Sequence, residues 1–355
     1  MIFKINCNLK KYNTFGIKAT CTVFTEIETV KNLKEVLKRN TLPIQILGGG
    51  SNMLFTQTHY DWFFIKNSIK GIKIVGNTEG GKNHQITKSP NHTIIQIGGG
   101  ENWHSCVLYT IKNNLGGIEN LSLIPGTVGA SPIQNIGAYG VELKDVFVKL
   151  EALNLQTLEI ETFTYDDCQF GYRDSVFKKD LKGKYFITKV FLKLTDLNDE
   201  TNAKNYKPKT DYGDIQKILS ERHIITPTIK DVSEAVISIR QSKLPDPSVS
   251  GNAGSFFKNP TLEKTDCERL LKQFPNMPNY PALNFQVKLA AGWLIEQCGW
   301  KGKRIGNVGV HEQQALVLVN YGKGKGLEIK ELATQIKQSV LNKFGVELQA
   351  EVNIV

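Results

Sequence analysis

From about residue 21 the chain carries short β-rich runs, several of them β-branched and bounded by Gly, Asn or Asp. "IQILGGGSNMLF", "WFFIKN", "GIKIV", "TIIQIGGG", "LEALNLQ" and "YFITKVFLKL" are such runs, and apolar segments bounded by turn residues predict strands. Between them, "ETVKNLKEVLKRN" sets Val30, Leu33, Val36 and Leu37 at helical spacing. "NWHSCVLYTIKNNLGG" does the same with Val107, Ile111 and Leu115 before a glycine pair. Two amphipathic helices are expected there, and the region up to about Leu194 reads as α+β.

Downstream the pattern changes. Asp196 to Asp214, "DLNDETNAKNYKPKTDYGD", has almost no core-forming residues, and a domain boundary is expected near its start. "KDVSEAVISIRQSKLPDP" puts Val232, Ala235, Val236 and Ile239 on one helical face before two prolines. A further helix is expected in "VKLAAGWLIEQCG", closed by Gly299. The last ten residues, "VELQAEVNIV", alternate apolar with polar, which predicts one half-buried strand. Asn77 to His92 is polar and rich in Gly, Asn and Lys, and reads as a surface excursion.

A length of 355 residues exceeds the usual single domain, so two or three packed units are expected. Lys and Arg total 44 against 34 Asp and Glu, a net charge of +10. The excess is spread along the chain, with no aromatic-interleaved basic stripe and no helix-turn-helix pattern. Anionic small ligands therefore fit better than nucleic acid. Cys7, Cys21, Cys106, Cys168, Cys267 and Cys298 stand far apart, with neither CxxC nor zinc-ligand spacing; this predicts reduced thiols and no metal. The opening "MIFKINCNLKKYN" lacks a signal-peptide core, and no apolar run reaches about 18 residues. A soluble cytoplasmic protein without membrane insertion is expected.

Four stretches carry candidate chemistry. Gly48, Gly49, Gly50, Ser51 and Asn52 follow a strand, and such a loop either cradles an anion with successive N–H groups or makes a tight hairpin. Neither GxGxxG nor GxxxxGK[ST] is present, which weighs against Rossmann and P-loop sites. "LIPGTVGASPIQNIGAYG", Leu123 to Gly140, holds too many breakers for a helix and too few branched residues for a strand. Its backbone needs a partner, which a phosphorylated cofactor or the loop's own packing would supply. "FGYRDSVFKK" sets Arg173 among aromatics beside Asp174, as an anion clamp or a structural ion pair. "SGNAGSFFKNP" carries Ser255 with no GxSxG and no histidine triad, so acyl transfer is not its chemistry.

Taken together, "KYNTFGIKA", "ILGGGSNMLF", "GGGENW", "IPGTVGASPIQNIGAYG", "FGYRDSVFK", "TDYGD", "KLPDP", "GNAGSFFKNP", "AAGWLIEQCG" and "HEQQALVLVN" resemble, in order, the motifs of the UDP-N-acetylenolpyruvoylglucosamine reductase family. The likeness runs from about Lys11 to the C-terminus. It implies an α+β fold: a two-lobed FAD-binding domain of the vanillyl-alcohol oxidase and p-cresol methylhydroxylase type, then an α+β substrate-binding domain. The lobes would be residues 1–75 and 76–197, and the substrate-binding domain 198–355. The resemblance implies FAD as cofactor, NADPH as hydride donor, a UDP-sugar as substrate, and a monomer that inserts in no membrane.

By motif, Gly48 to Asn52 together with Pro125, Gly126, Thr127, Gly129, Ala130, Ser131, Asn135, Gly137 and Ala138 would hold the cofactor. Arg173 and Glu351 would stabilise negative charge developing on the reduced substrate, Glu351 doing so best when protonated. Ser255 would deliver the proton to the α-carbon, and the glycines before it would let the chain run close to flavin and substrate. Tyr172, Tyr212, Lys243, Asn259 and Gln314 would bind the sugar nucleotide, Tyr212 on a mobile loop that marks the longer subclass. An alcohol oxidase of the same cofactor class would share the glycine loops but leaves "KLPDP", "TDYGD" and "GNAGSFFKNP" unexplained. A silent nucleotide-binding module would have no use for Arg173, Ser255 and Glu351 together.

Overall fold

A computed structural model describes residues 2–76, 92–282 and 285–355; of the polar run expected as a surface excursion, 77–91 lie outside the described residues. The chain divides into two compact units, one of Met1–Cys7, Cys21–Gly49 and Asp61–Arg240, the other of Asn8–Thr20, Gly50–Tyr60 and Gln241–Val355.

In the first unit the larger sheet runs Ile160–Thr164, Phe147–Asn154, Tyr185–Asp196, His92–Gly98, Ile72–Gly76, with Leu115–Gly116 also paired to Tyr185–Asp196. Tyr185–Asp196 is central, and Phe186, Ile187, Val190, Phe191, Leu192 and Leu194 of it are buried. Val190 lies in register with Leu150 on one side and Ile97 on the other, and all three are fully buried. Against them pack Trp103 and Val107 of the helix Trp103–Lys112. Asn102 starts that helix by accepting the Ser105 N–H on its side chain at 2.9 Å. The helix stops short of Leu115, which the periodicity assigned to it. Asn114 takes a left-handed φ of 54°, ending the helix, and Leu115 pairs instead as a strand.

The second sheet of this unit orders Phe3–Asn8, Thr20–Ile27, His59–Asn67 and Ile44–Leu47, the last two parallel. Helix Val30–Arg39, capped by the Thr29 hydroxyl on the Asn32 N–H, lays Leu33 and Val36 on Phe63, Ile65 and Phe186. Helices Ile215–Glu221 and Ile229–Lys243 share a small core of Ile215, Leu219, Val232, Ala235, Val236 and Ile239, the helical face expected from the spacing.

The second unit is built from short pieces: two three-stranded antiparallel sheets, Arg304–Ile305, Val308–Val310, Leu318–Asn320 and Thr261–Leu262, Val287–Leu289, Asn279–Pro281. Helix Ala291–Gln297 ends before Gly299, whose φ is 75°. Its start differs from the expectation, since Val287–Leu289 is a strand that pairs on both sides. Helix Gly326–Phe344 buries Ile329, Leu332, Ala333, Ile336 and Val340. The C-terminal segment keeps its alternation, with Val346, Leu348 and Val352 buried, yet it is not one strand. Ala350 bridges to Phe257, and only Asn353–Ile354 forms a ladder, parallel to Met53–Leu54. Changing partners midway leaves Ile354 40% exposed. Among the described residues no helix is long and apolar enough to cross a membrane.

Candidate active site

Within the first unit, three glycine-bearing segments meet. A Cβ on Gly48 would lie 2.6 Å from Thr127 Oγ1, and one on Gly49 would lie 2.9 Å from Gly126 Cα. The Gly129 N–H donates to the Gly99 carbonyl at 2.8 Å and the Trp103 N–H to the Gly126 carbonyl at 3.1 Å. The echo between "GGGSN" and "GGGEN" is thus a spatial relationship: both runs face the 126–129 turn. The glycines permit backbone to touch backbone, leaving the loops closely layered. Thr127 Oγ1 is buried with no partner among the described residues, so a bound polar group would satisfy it.

Two residues expected at the cofactor are engaged within the protein. The Ser131 hydroxyl donates to the Val128 carbonyl at 2.6 Å. Asn135, fully buried, donates to Glu142 Oε2 at 3.1 Å and the Gly171 carbonyl at 3.0 Å, and accepts the Lys144 N–H at 3.0 Å. These side chains shape the loop, and its backbone is what remains for a ligand. At its end, Gly137–Ala138 pairs with Val141–Glu142 through a two-residue turn, Tyr139 and Gly140, with φ of 49° and 79°. Positive φ at both positions is the type I′ geometry that suits a twisted hairpin.

Arg173 also sits at positive φ, 53°, in a tight turn closed by Gly171 and Asp174. Its guanidinium donates to the Gly137 carbonyl and lies 5.4 Å from the Tyr172 ring centroid. Asp174 does not take it as a structural partner, because its carboxylate meets Lys179 Nζ at 2.6 Å. Arg173 is therefore held against the end of the glycine-rich loop.

In the second unit, Ser255, Asn259, Gln314 and Glu351 are drawn together. Ser255 bridges to Val317, the Phe256 N–H donates to the Leu316 carbonyl at 2.7 Å, and the Glu351 N–H donates to the Phe256 carbonyl at 2.8 Å. Phe256 and Phe257 are buried at 0% and 1% exposure and pin the segment, while Ser255 stays partly accessible. No hydrogen bond among the described residues holds its hydroxyl. Asn259 Oδ1 accepts the Ala291 N–H at 3.0 Å, and a Cβ on neighbouring Gly292 would lie 3.4 Å from Gln314 Oε1. Asn52, expected at the cofactor, donates from Nδ2 to the Glu351 carbonyl at 3.3 Å. Gly50 leaves room for the Tyr12 carbonyl and Gly251 for that of Phe15, whereas Gly254, at φ 68°, has open space around it. Gly50 and Gly251 thus each meet a carbonyl, and Gly254 supplies a left-handed turn. Lys243 is exposed at the end of its helix.

A model of the UDP-N-acetylenolpyruvoylglucosamine reductase C-terminal domain matches residues 246–355, and an FAD binding domain matches 21–161. The curated UDP-N-acetylenolpyruvoylglucosamine reductase of Flavobacterium johnsoniae is 48% identical across 100% of both chains. That of Amoebophilus asiaticus is 46% identical over 99% of this chain and 98% of its own. The chain belongs to the UDP-N-acetylenolpyruvoylglucosamine reductase family. A crystal structure of the enzyme from Thermus caldophilus aligns over 99% of each chain with a TM-score of 0.64 at 21% identity, which supports the α+β fold. The cofactor of this family fits the first unit, where layered glycine loops surround an unsatisfied threonine hydroxyl.

One charged residue near Arg173 escaped the sequence reading. Arg240 Nε is buried without a partner among the described residues. Burial holds this guanidinium below its usual range; the Tyr139 hydroxyl partly offsets that, and the nearby Arg173 charge adds to it. A partly buried guanidinium beside a second cation, with no carboxylate in contact with Arg240 among the described residues, is arranged to receive an anionic group. Ordinary helical periodicity gave no reason to single it out.

Proposed function

We propose that the protein catalyses the NADPH-dependent reduction of the enolpyruvyl group of UDP-N-acetylenolpyruvoylglucosamine to UDP-N-acetylmuramate, a step in peptidoglycan precursor synthesis. The observation that carries this reading is the 48% identity, end to end, with a reductase of that name. When bound, FAD supplies the redox chemistry, taking a hydride from NADPH and passing it to the enolpyruvyl β-carbon.

Hydride arrival at the β-carbon leaves negative charge at the α-carbon and its carboxylate. Ser255 gives the α-carbon a proton: a hydroxyl without an acceptor among the described residues, on a segment fixed by main-chain bonds on both sides, is suited to this. Arg173 and Arg240 offer permanent positive charge to the carboxylate, and Glu351, in its protonated form, adds a hydrogen bond. Tyr172, Tyr212, Lys243, Asn259 and Gln314 bind the sugar nucleotide, and the backbones of Gly48–Asn52 and Pro125–Ala138 hold the cofactor. Residues 1–197 serving FAD, 198–355 serving the UDP-sugar, a monomeric state and a cytoplasmic location belong to the same proposal.

Purified protein supplied with FAD should be yellow and should oxidise NADPH at an appreciable rate only after the enolpyruvyl UDP-sugar is added. Colourless protein that takes up no FAD, or NADPH oxidation indifferent to the UDP-sugar, would overturn it.

A further inference from the structure

Glu119 and Asn120, on a single 3-10 turn, are 3% and 1% exposed. Glu119 Oε2 accepts the Gly117 N–H at 2.7 Å, and Oε1 accepts the Tyr206 hydroxyl at 2.6 Å. The Tyr206 ring lies so close over Gly116 that a Cβ there would fall 2.7 Å from its Cζ. Asn120 Nδ2 makes two bonds, to the Tyr139 carbonyl at 3.0 Å and the Lys209 carbonyl at 2.8 Å. Both amide hydrogens are thereby used, which fixes the orientation of the side chain.

The two carbonyls belong to different functional segments. Tyr139 is the first residue of the hairpin turn that ends the glycine-rich loop, left-handed without being glycine or asparagine. Lys209 lies on a segment, 206–211, that is neither helix nor strand, and Tyr206 at its head has φ −70° and ψ 127°. Three contacts hold it. Tyr206 meets Glu119, Lys209 meets Asn120 and donates from Nζ to the Gly140 carbonyl at 3.1 Å, and Tyr212 stands edge-on to Tyr139 with centroids 6.3 Å apart. Tyr212 itself is 57% exposed, so the anchoring lies upstream of the ring.

We infer that Asn120 is a positioning residue that seats the Tyr212 strap against the Tyr139–Gly140 turn, making sugar-nucleotide binding depend on the shape of the glycine-rich loop. The consequence for binding rests on the substrate role proposed for Tyr212; the seating itself does not.

Hydrogen exchange on the full-length, FAD-loaded protein tests the seating. Asn120→Ala should lose protection at 206–212 and at 137–142 together, with the sheet of Tyr185–Asp196 unchanged. Unchanged exchange in both segments would overturn the inference. Steady-state kinetics test the consequence: Asn120→Ala should raise KM for UDP-N-acetylenolpyruvoylglucosamine by roughly tenfold, the scale of one or two hydrogen bonds, with a much smaller change in kcat. In a Tyr212→Ala background the same substitution should add almost nothing, because the two act in series. An equal rise in both backgrounds would refute the positioning role. If Tyr212→Ala left KM unaltered, the substrate role of Tyr212 would be lost, and exchange would still decide the seating. Should Asn120→Ala not fold, Tyr206→Phe removes the neighbouring anchor alone: protection lost at 206–212 and kept at 137–142 supports the arrangement, and loss at neither opposes it.

Discussion

The Glu351 N–H donates to the carbonyl of Phe256 at 2.8 Å, so two acidic-proton candidates nearly a hundred residues apart in sequence are one backbone step from each other. Neither depends on a mobile loop for that proximity.

Ser255→Ala should leave folding intact, because no hydrogen bond among the described residues uses the hydroxyl. NADPH should still reduce the flavin. Reoxidation by the UDP-sugar should slow by about 100-fold or more, the usual scale of a general acid, as followed by flavin absorbance in stopped flow. Reoxidation at the wild-type rate would remove Ser255 from the mechanism.

Gly49→Ala forces a methyl against Gly126 Cα at 2.9 Å, where both sides are backbone and neither can rotate away. A loss of about 1–3 kcal/mol in urea unfolding is expected, together with poor retention of FAD after gel filtration. A yellow protein of normal stability would show that the two loops can separate freely.

His104 gives the protein a pH dependence of known sign. Its Nδ1 accepts the Leu123 N–H at 3.0 Å, which requires the ring to be neutral there, and burial followed by the Arg240 charge lowers its pKa from 6.5. The unfolded chain therefore takes up the proton first. The contribution is complete above pH 6.5 and is lost as pH falls from there through the lower folded value. Urea midpoints measured from about pH 7.5 to about pH 5 should decline in the wild type and decline less in His104→Asn. Parallel declines would place the titration elsewhere.

Arg240→Met should stabilise the ligand-free protein by about 1 kcal/mol, since a guanidinium whose Nε is buried without a partner among the described residues is replaced by an apolar side chain. The same change should reduce the thermal shift produced by the enolpyruvyl UDP-sugar. Destabilisation of the ligand-free form would mean that Arg240 has a structural partner.

Local pattern in the sequence was enough for the helices at Val30–Arg39, Trp103–Lys112 and Ile229–Lys243, because a buried face repeats within a few residues. Helix Gly326–Phe344 was equally legible, with Ile329, Leu332, Ala333, Ile336 and Val340 at helical spacing and Gly345 in the left-handed region, and went unread among lysines and glycines. Val287–Leu289 was assigned to a helix because three residues are too few to reveal a period of two. Asn120 offered no signal, since its partners are 19 and 89 positions away and a buried asparagine looks like any other from sequence. The glycines were legible as points of close approach, and at Gly49, Gly50 and Gly251 neighbouring backbone makes that approach.

The segment from Tyr206 to Tyr212 also limits how its length can vary. Glu119 and Asn120 fix it at Tyr206 and Lys209 while Tyr212 rests on Tyr139, so a residue inserted between Lys209 and Tyr212 would carry the ring off Tyr139 with the upstream bonds intact. Tolerated changes in this segment should therefore come as substitutions at Lys207, Pro208 and Thr210, with the count of residues left alone: the loop behaves as a ruler, and its sequence is freer than its length.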